Sequence, residues 1–384
     1  MKIAFLSEKY TPDIGGLAIS TERLVRLLAS AGHQVSVFAP TVNLPTAETR
    51  TLLSNGVRVT RFGARKRVDD TLVDWFELIS SEHQREPFDL IHAYFLTQAG
   101  FVAAYAGKYL QVPSVVSARG NDLERALFDP SRAAHILYAL SHASAVTTNT
   151  NGLAKKATAL VQGLQVSVIP NGVDSDHFKP LPRNTALAES LSLMNVTDGT
   201  TPPVIGFAGE LREKKGLSPL LSAYAQIKRK HPAILLIVGD IRAGEDRQWF
   251  EEYKQVHPDV QITVTGFVPR NDLPAYYSLM DVFVQPSLRD GLPNALLEAM
   301  ACEKAIVGSA VGGMADAIID CENGRLVASN QVEELAQAID EVLMDGELRA
   351  RLGRNACQTI RNKFTLQAEL DANLDVYRRL GLKV

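Results

Sequence analysis

Residues 1–32, MKIAFLSEKYTPDIGGLAISTERLVRLLASAG, decide the fold. Ile3 to Leu6 is an unbroken apolar run, which reads as a buried strand, and TPDIGG is a loop punctuated by Pro12 and the Gly15–Gly16 pair. From Leu17 to Ala31 the period changes: Leu24, Leu27, Leu28 and Ala31 mark a core-facing helical stripe, and Gly32 stops it. Strand, glycine loop and helix in this order open a doubly wound α/β domain. The apolar start passes quickly into SEKYTPD, too soon for the apolar stretch of a secretory signal. No later window approaches ~18 uninterrupted apolar residues, so no membrane span is expected, although peripheral attachment stays open.

The alternation continues outward from this unit. Val35 to Ala39, Leu90 to Ala93, Ser114 to Ser117, Ala145 to Thr148 and Val166 to Ile169 read as further strands of the first sheet. Prolines then cluster around small and polar residues in KPLPRNTALAESLSLMNVTDGTTPP (Lys179 to Pro203), the composition of a linker with one short helix. A second strand series follows at Val204 to Ala208, Ala233 to Val238, Gln261 to Thr265, Val282 to Gln285, Ala305 to Gly308 and Gly324 to Val327. Between these strands, helical patterns cover Leu217 to Lys230, Leu273 to Met280, Asn294 to Ala301 and Val332 to Leu343. The expected organisation is a first domain over 1–180, a linker over 181–203 and a second domain over 204–364, with a C-terminal helix over about 365–384 packing back on the first domain. Two such domains face one another across a cleft lined by the carboxyl ends of both sheets, where open α/β folds bind ligands.

Composition narrows the function. With 40 Lys+Arg against 43 Asp+Glu the net charge is −3, which excludes the strong basic excess of proteins that hold a phosphate backbone, so no nucleic-acid partner is expected. The balance is uneven: the first 183 residues carry 19 Lys+Arg and 16 Asp+Glu, the remainder 21 and 27. Three cysteines (Cys302, Cys321, Cys357) without CxxC spacing support neither a disulfide framework nor a zinc site, which suits a reducing cytoplasm.

The stretch PSLRDGLPNALLEAMAC, Pro286 to Cys302, carries the chemistry. A DGLPN loop entering a helix near Pro293 or Asn294 presents backbone N–H groups at the positive end of the helix dipole, a ready anion site. Glu298 falls about one turn into that helix, where a carboxylate accepts two hydroxyls of a sugar diol. Asp290 stands eight residues before it. This acidic-x7-Glu spacing resembles the signature of retaining nucleotide-sugar glycosyltransferases of family 4, which have the GT-B fold of two Rossmann-like domains facing across a deep cleft. The resemblance implies that Glu298 holds the ribose hydroxyls. It also implies that Asp290, where the usual residue is Glu, holds hydroxyls of the transferred sugar with the backbone of Gly291, Leu292 and Pro293, next to Asn294. VIGFAGELREKKGLSPLLSAY (Val204 to Tyr224) resembles the family's strand-GRLxxxKG-helix segment, which places an Arg and a Lys on the donor diphosphate. Lys215 falls on the Lys position, Glu210 occupies the Arg position, and Arg212 or Lys214 is left to supply the missing cation, Arg212 being preferred.

Three more stretches agree in order: VIPNGVDSDHFKP (Val168 to Pro180), GFVPRNDLPAYYSLMDVFVQPS (Gly266 to Ser287), and Ala310 to Val327 with its GG…NG ending. In the second, Phe267 and Val268 correspond to residues whose backbone receives the nucleobase. On the acceptor side the resemblance puts Gly16 against the donor phosphate or sugar, and His92 and Tyr94 at a strand end in IHAYFLTQAG. In SARGND, Arg119 stands where a His is often found, followed by Gly120, Asn121 and Asp122. Arg119 is too basic to act as a base, so positioning or charge stabilisation is its expected role. His92 reads equally well as a core histidine.

The implied activity is transfer of a hexose, with UDP-glucose as the expected donor, to a hydroxyl of a glycan, lipid-linked or small-molecule acceptor. No cofactor and no metal are expected, and Lys215, Asp290, Arg212, Arg119 and Asp122 are the candidate catalytic groups. Two other readings remain open at this level: a nucleotide-sugar epimerase of similar layout, and a catalytically weak nucleotide-sugar-binding protein. RFGARKR (Arg61 to Arg67) before an amphipathic pattern with Leu72, Trp75, Phe76 and Ile79 raises weak contact of the first domain with the inner face of a membrane, against the plainer alternative of a solvated loop before a surface helix.

Overall fold

The computed structural model describes residues 1–13, 15–194 and 202–384. Among the described residues, fourteen strands form two sheets. In the first, β1 (Lys2–Ser7), β2 (Gln34–Thr46), β3 (Thr49–Ser54), β4 (Val57–Gly63), β5 (Leu90–Tyr94), β6 (Ser114–Ala118), β7 (Ala145–Thr148) and β8 (Val166–Val168) lie in the order β3-β4-β2-β1-β5-β6-β7-β8. All neighbours are parallel except β3 and β4. The second sheet, β9 (Val204–Ala208), β10 (Ile234–Val238), β11 (Ile262–Val264), β12 (Val282–Gln285), β13 (Ala305–Ser309) and β14 (Arg325–Val327), is wholly parallel with order β11-β10-β9-β12-β13-β14. In both sheets the strand order reverses beside the first strand, between β1 and β5 and between β9 and β12. Such switch points are where the carboxyl ends of open α/β sheets leave a crevice for a ligand.

Strands β1, β5, β9, β10 and β13 are buried on both faces, as their continuous apolar runs require once helices cover the sheet. The opening helix runs Gly16–Ser30 and buries Leu24, Val25 and Leu28; Leu27 is half-buried and Ala31, expected on the stripe, is exposed. The hairpin β3–β4 was not foreseen. Its turn is Asn55–Gly56 at φ +50 and +78, the pair of left-handed residues that joins antiparallel strands most tightly.

The chain divides into two units, Met1–Asn171 with Leu366–Val384, and Gly172–Thr365. The division falls before position 180, because Val173 and Phe178 are buried in the core of the second unit. The expected linker contains a helix, Thr185–Ser190, whose Ala188 joins the same core; its residues 195–201 lie outside the described residues. In the first unit the helix Leu366–Arg379 packs Leu370, Leu374, Val376 and Tyr377 among Ile3, Phe5 and Leu24. A buried bidentate ion pair ties it to the opening helix, Arg23 Nε to Glu369 Oε2 at 2.6 Å and Arg23 Nη2 to Oε1 at 3.0 Å.

The helix after RFGARKR runs Val68–Arg85. Leu72, Trp75 and Ile79 are buried in the core, Arg61 holds Asp13 and Arg65 holds Asp74. Three of the four apolar residues of that pattern are thus turned inward, and the fourth, Phe76, is half-buried. Among the described residues no helix is long and apolar enough to cross a membrane.

Candidate active site

At the switch point of the second sheet the loops after β9 and β12 are stitched together. The β9 loop ends in a short turn, Glu213–Lys215, and Gly216 at φ +87 starts the helix Leu217–Lys228. Gly216 has to be glycine on two counts: its φ is left-handed, and a Cβ there would lie 2.1 Å from the carbonyl oxygen of Pro286. The Leu288 N–H donates to the Lys214 carbonyl at 3.0 Å. This close approach brings the Lys215 ammonium to Asp290 Oδ2 at 2.5 Å, with both side chains largely buried. Asp290 Oδ2 also accepts from the Ser287 hydroxyl at 3.2 Å, its Oδ1 accepts from the Gly291 N–H at 3.1 Å, and Gln285 Nε2 donates to Ser287 Oγ at 2.9 Å. On its far side the loop rests on Gly312 (φ +53), where a Cβ would be 1.8 Å from the Asp290 carbonyl oxygen. The Gly313 N–H donates to the Gly291 carbonyl at 2.8 Å. The shorter acid is thus spent on Lys215 and on its own loop.

The helix Asn294–Ala301 begins after Pro293, which has an extended backbone and offers no side-chain cap. Leu292 and Pro293 are buried, Gly291 and Asn294 half-buried. Glu298 lies on this helix, 5% exposed. The Tyr277 hydroxyl donates to its Oε2 at 3.1 Å, and Arg270 Nη2 lies 3.4 Å from Oε1. Burial and the Glu298 charge push the Tyr277 phenol well above its ordinary value, so it stays a donor. Phe267, 73% exposed, and half-buried Val268 sit on the loop after β11. Arg212, the preferred replacement cation, lies 3.6 Å from Glu210 Oε2, so part of its charge is already matched.

Each candidate of the first unit can be placed in turn. Gly15 caps the opening helix at φ +131, and a Cβ on Gly16 would meet no protein atom within 4 Å, so crowding by the protein does not explain that glycine. Asp122 is buried at the start of the short helix Asn121–Glu124 and accepts from the backbone N–H groups of Arg119, Gly120 and Leu123. Burial pushes its carboxyl up to about 6 against those donors, and Asn121 beside it is exposed. The Arg119 guanidinium lies 4.2 Å from the centre of the Tyr94 ring and donates to Asn171 Oδ1, a braced cation rather than a mobile one.

His92 and Tyr94 require correction as acceptor contacts. His92 has no exposed surface: its Nδ1 is 2.6 Å from the Tyr377 hydroxyl, and its ring packs on Phe5 and Tyr94. Burial, with Arg119 adding to it, pushes the imidazole down to about 3, so it is neutral. Tyr94 is 1% exposed beneath Arg119. The core-histidine reading is the one the geometry carries.

Sequence reading gave no role to Tyr277, Arg270, Ser287 or Gly312. All four lie inside the stretches that carried the resemblance, but what makes them functional candidates is which acid each one touches, and no local pattern encodes that.

Residues 14–177 match the family described as Glycosyltransferase Family 4, and residues 195–359 the family described as Glycosyl transferases group 1. An uncharacterized glycosyltransferase of Methanocaldococcus jannaschii is 28% identical, over 98% of both chains. Sucrose-phosphate synthase from Thermosynechococcus elongatus superposes with a TM-score of 0.83 at 24% identity, covering 99% of this chain and 98% of that one. Anabaena HepE in complex with UDP-glucose does so with 0.81 at 21%, covering 99% and 100%. Two Rossmann-like parallel sheets, stitched loops at the second switch point and family matches across both units make this chain a member of the family 4 glycosyltransferases with the GT-B fold.

Proposed function

We propose that this glycosyltransferase is a retaining hexosyltransferase that moves glucose from UDP-glucose to a hydroxyl of a glycan, lipid or small-molecule acceptor, in cell-surface polysaccharide or glycolipid synthesis and without a required metal. The observation that carries the reading is the Lys215–Asp290 pair at 2.5 Å, set at a sheet switch point on the loop that leads into the helix bearing the buried Glu298. In this reading the diphosphate sits on Lys215 and the first turn of Asn294–Ala301, the ribose on Glu298, and the base against the backbone of Phe267 and Val268. HepE, of the same fold, was crystallised with UDP-glucose, which makes that donor the first to test.

Retention follows if the acceptor hydroxyl approaches on the face the diphosphate leaves. The C1–oxygen bond to the leaving phosphate breaks through an oxocarbenium-like state, the acceptor oxygen bonds to C1, and the departing phosphate takes the acceptor proton. No pair of carboxylates at hydrolase spacing is then needed. Lys215 offsets the charge that grows on the leaving group, and Arg119 and Asp122 are assigned to positioning.

The test begins with UDP, GDP and ADP as thermal-stabilisation probes, since a ligand at 100 times its dissociation constant adds about 2.7 kcal/mol. The matching donor labelled at C1 is then followed by NMR, with and without EDTA. An α-linked donor should give an α-linked product at an unchanged rate in EDTA. A β product, or loss of turnover in EDTA, refutes the mechanism.

A further inference from the structure

We infer that Tyr277 and Arg270, the latter seated on Phe178, are positioning residues that fix the Glu298 carboxylate for the ribose diol of the donor; this rests on the proposed donor site. A carboxylate buried as deeply as Glu298 needs both a charge partner and hydrogen-bond donors. Here the two jobs fall on different oxygens, with Arg270 at Oε1 and Tyr277 at Oε2. Held from two sides, the group cannot turn about its terminal torsion, which is otherwise broad.

The props have their own supports. The Arg270 guanidinium lies 5.2 Å from the centre of the fully buried Phe178 ring, and its backbone carbonyl is 3.3 Å from His177 Nε2. Tyr277 packs edge-on against Phe178 and Phe283 at 6.1 and 6.0 Å. The segment DSDHFKP therefore serves this site: Phe178 is a platform shared by both residues that hold Glu298. This gives the phenylalanine of that stretch a chemical task and explains why the segment belongs to the second unit.

The experiment compares ribose with 2′-deoxyribose. Whichever of UDP, GDP or ADP binds tightest is titrated beside its 2′-deoxy form against the full chain and against Tyr277→Phe, Arg270→Gln and Glu298→Gln. Tyr277→Phe removes one hydroxyl and should lower the ribo-to-deoxy preference roughly tenfold, the size of one hydrogen bond to a charged group. The affinity for the deoxy nucleotide should stay within about twofold. Arg270→Gln, at a side chain 38% exposed, should behave alike and guards against a folding defect at the buried Tyr277. A preference unchanged in both variants, or equal losses for both nucleotides, overturns the positioning role. A preference that survives Glu298→Gln overturns the ribose assignment itself and the inference with it, so the two failures are distinguishable.

Discussion

Replacing Gly216 with alanine is the sharpest probe of the stitched loops. The residue sits at φ +87, where an L side chain costs roughly 1–2 kcal/mol. Its new Cβ would start 2.1 Å from the Pro286 carbonyl oxygen, so the two backbones must part by about 1 Å to reach an ordinary carbon–oxygen contact of about 3.3 Å. Parting them breaks the Leu288–Lys214 hydrogen bond, about 0.5–1.5 kcal/mol more. The expected loss of stability is about 2–3 kcal/mol, a fall in melting temperature of roughly 5–10 °C for a domain of this size. The loss of function should be larger in proportion. A displacement of about 1 Å carries Lys215 away from Asp290, and misplacement on that scale can reduce turnover about 100-fold. Gly163→Ala is the control: its φ is +78 but nothing lies within 4 Å of the added Cβ, so it should show the 1–2 kcal/mol penalty with normal transfer. Chemical denaturation and kcat/KM for donor are measured on both. A Gly216→Ala protein that turns over within threefold of wild type refutes the claim that this contact sets the Lys215 geometry.

Arg23→Met strands the Glu369 carboxylate in the core of the first unit and should lower unfolding free energy by about 3–5 kcal/mol, while Arg23→Met with Glu369→Leu should recover most of it, as read by denaturant titration. Lys215→Met should reduce kcat/KM by roughly 10²–10³ and weaken nucleoside diphosphate far more than monophosphate in calorimetric titration; equal weakening of both would refute its place on the diphosphate. His92 binds a proton below about 6.5 when unfolded but only near 3 when folded, so the unfolded chain holds more protons across that window. Stability should therefore drop as pH falls from 6.5, by up to about 1.36 kcal/mol per pH unit, and His92→Gln should lose that slope. Asp122, raised from 3.8 to about 6, acts in the opposite sense between those values, so the comparison of variant with wild type, not the wild-type curve alone, is the measurement.

What was legible in the sequence was local. Strand β1, its glycine loop and its helix follow from an apolar run giving way to a 3.6-residue period, and the helix Asn294–Ala301 was bounded to the residue because a proline loop starts it. Strand β3 escaped for a physical reason: all six of its residues are exposed, so it has no buried face and no alternation to read. The Asn55–Gly56 turn was the available signal. His92 could not be resolved between core and site because its hydroxyl partner, Tyr377, lies 285 residues further along the chain. Glu298 stood out from its spacing to Asp290, yet its contacts with Tyr277 and Arg270 depend on how a loop and a short helix pack, information that spacing does not contain.

Two positions that differ from the family pattern, Glu210 and Asp290, are both acidic. Each sets a carboxylate beside a cation assigned to the donor diphosphate: Asp290 at 2.5 Å from Lys215, Glu210 at 3.6 Å from Arg212. Near a protein surface, opposite charges about 4 Å apart attract by about 4 kcal/mol, so neither cation stands ready as free positive charge. A diphosphate gains from Lys215 only the difference between its own attraction and that of Asp290. That difference favours the ligand because a diphosphate carries more negative charge than one carboxylate. The second half of the chain, with 21 Lys+Arg against 27 Asp+Glu, supplies no general attraction for anions. In the proposed donor site, selectivity for a nucleotide sugar over other anions therefore rests on geometry, with the Lys215–Asp290 pair set on the loop at the head of one helix.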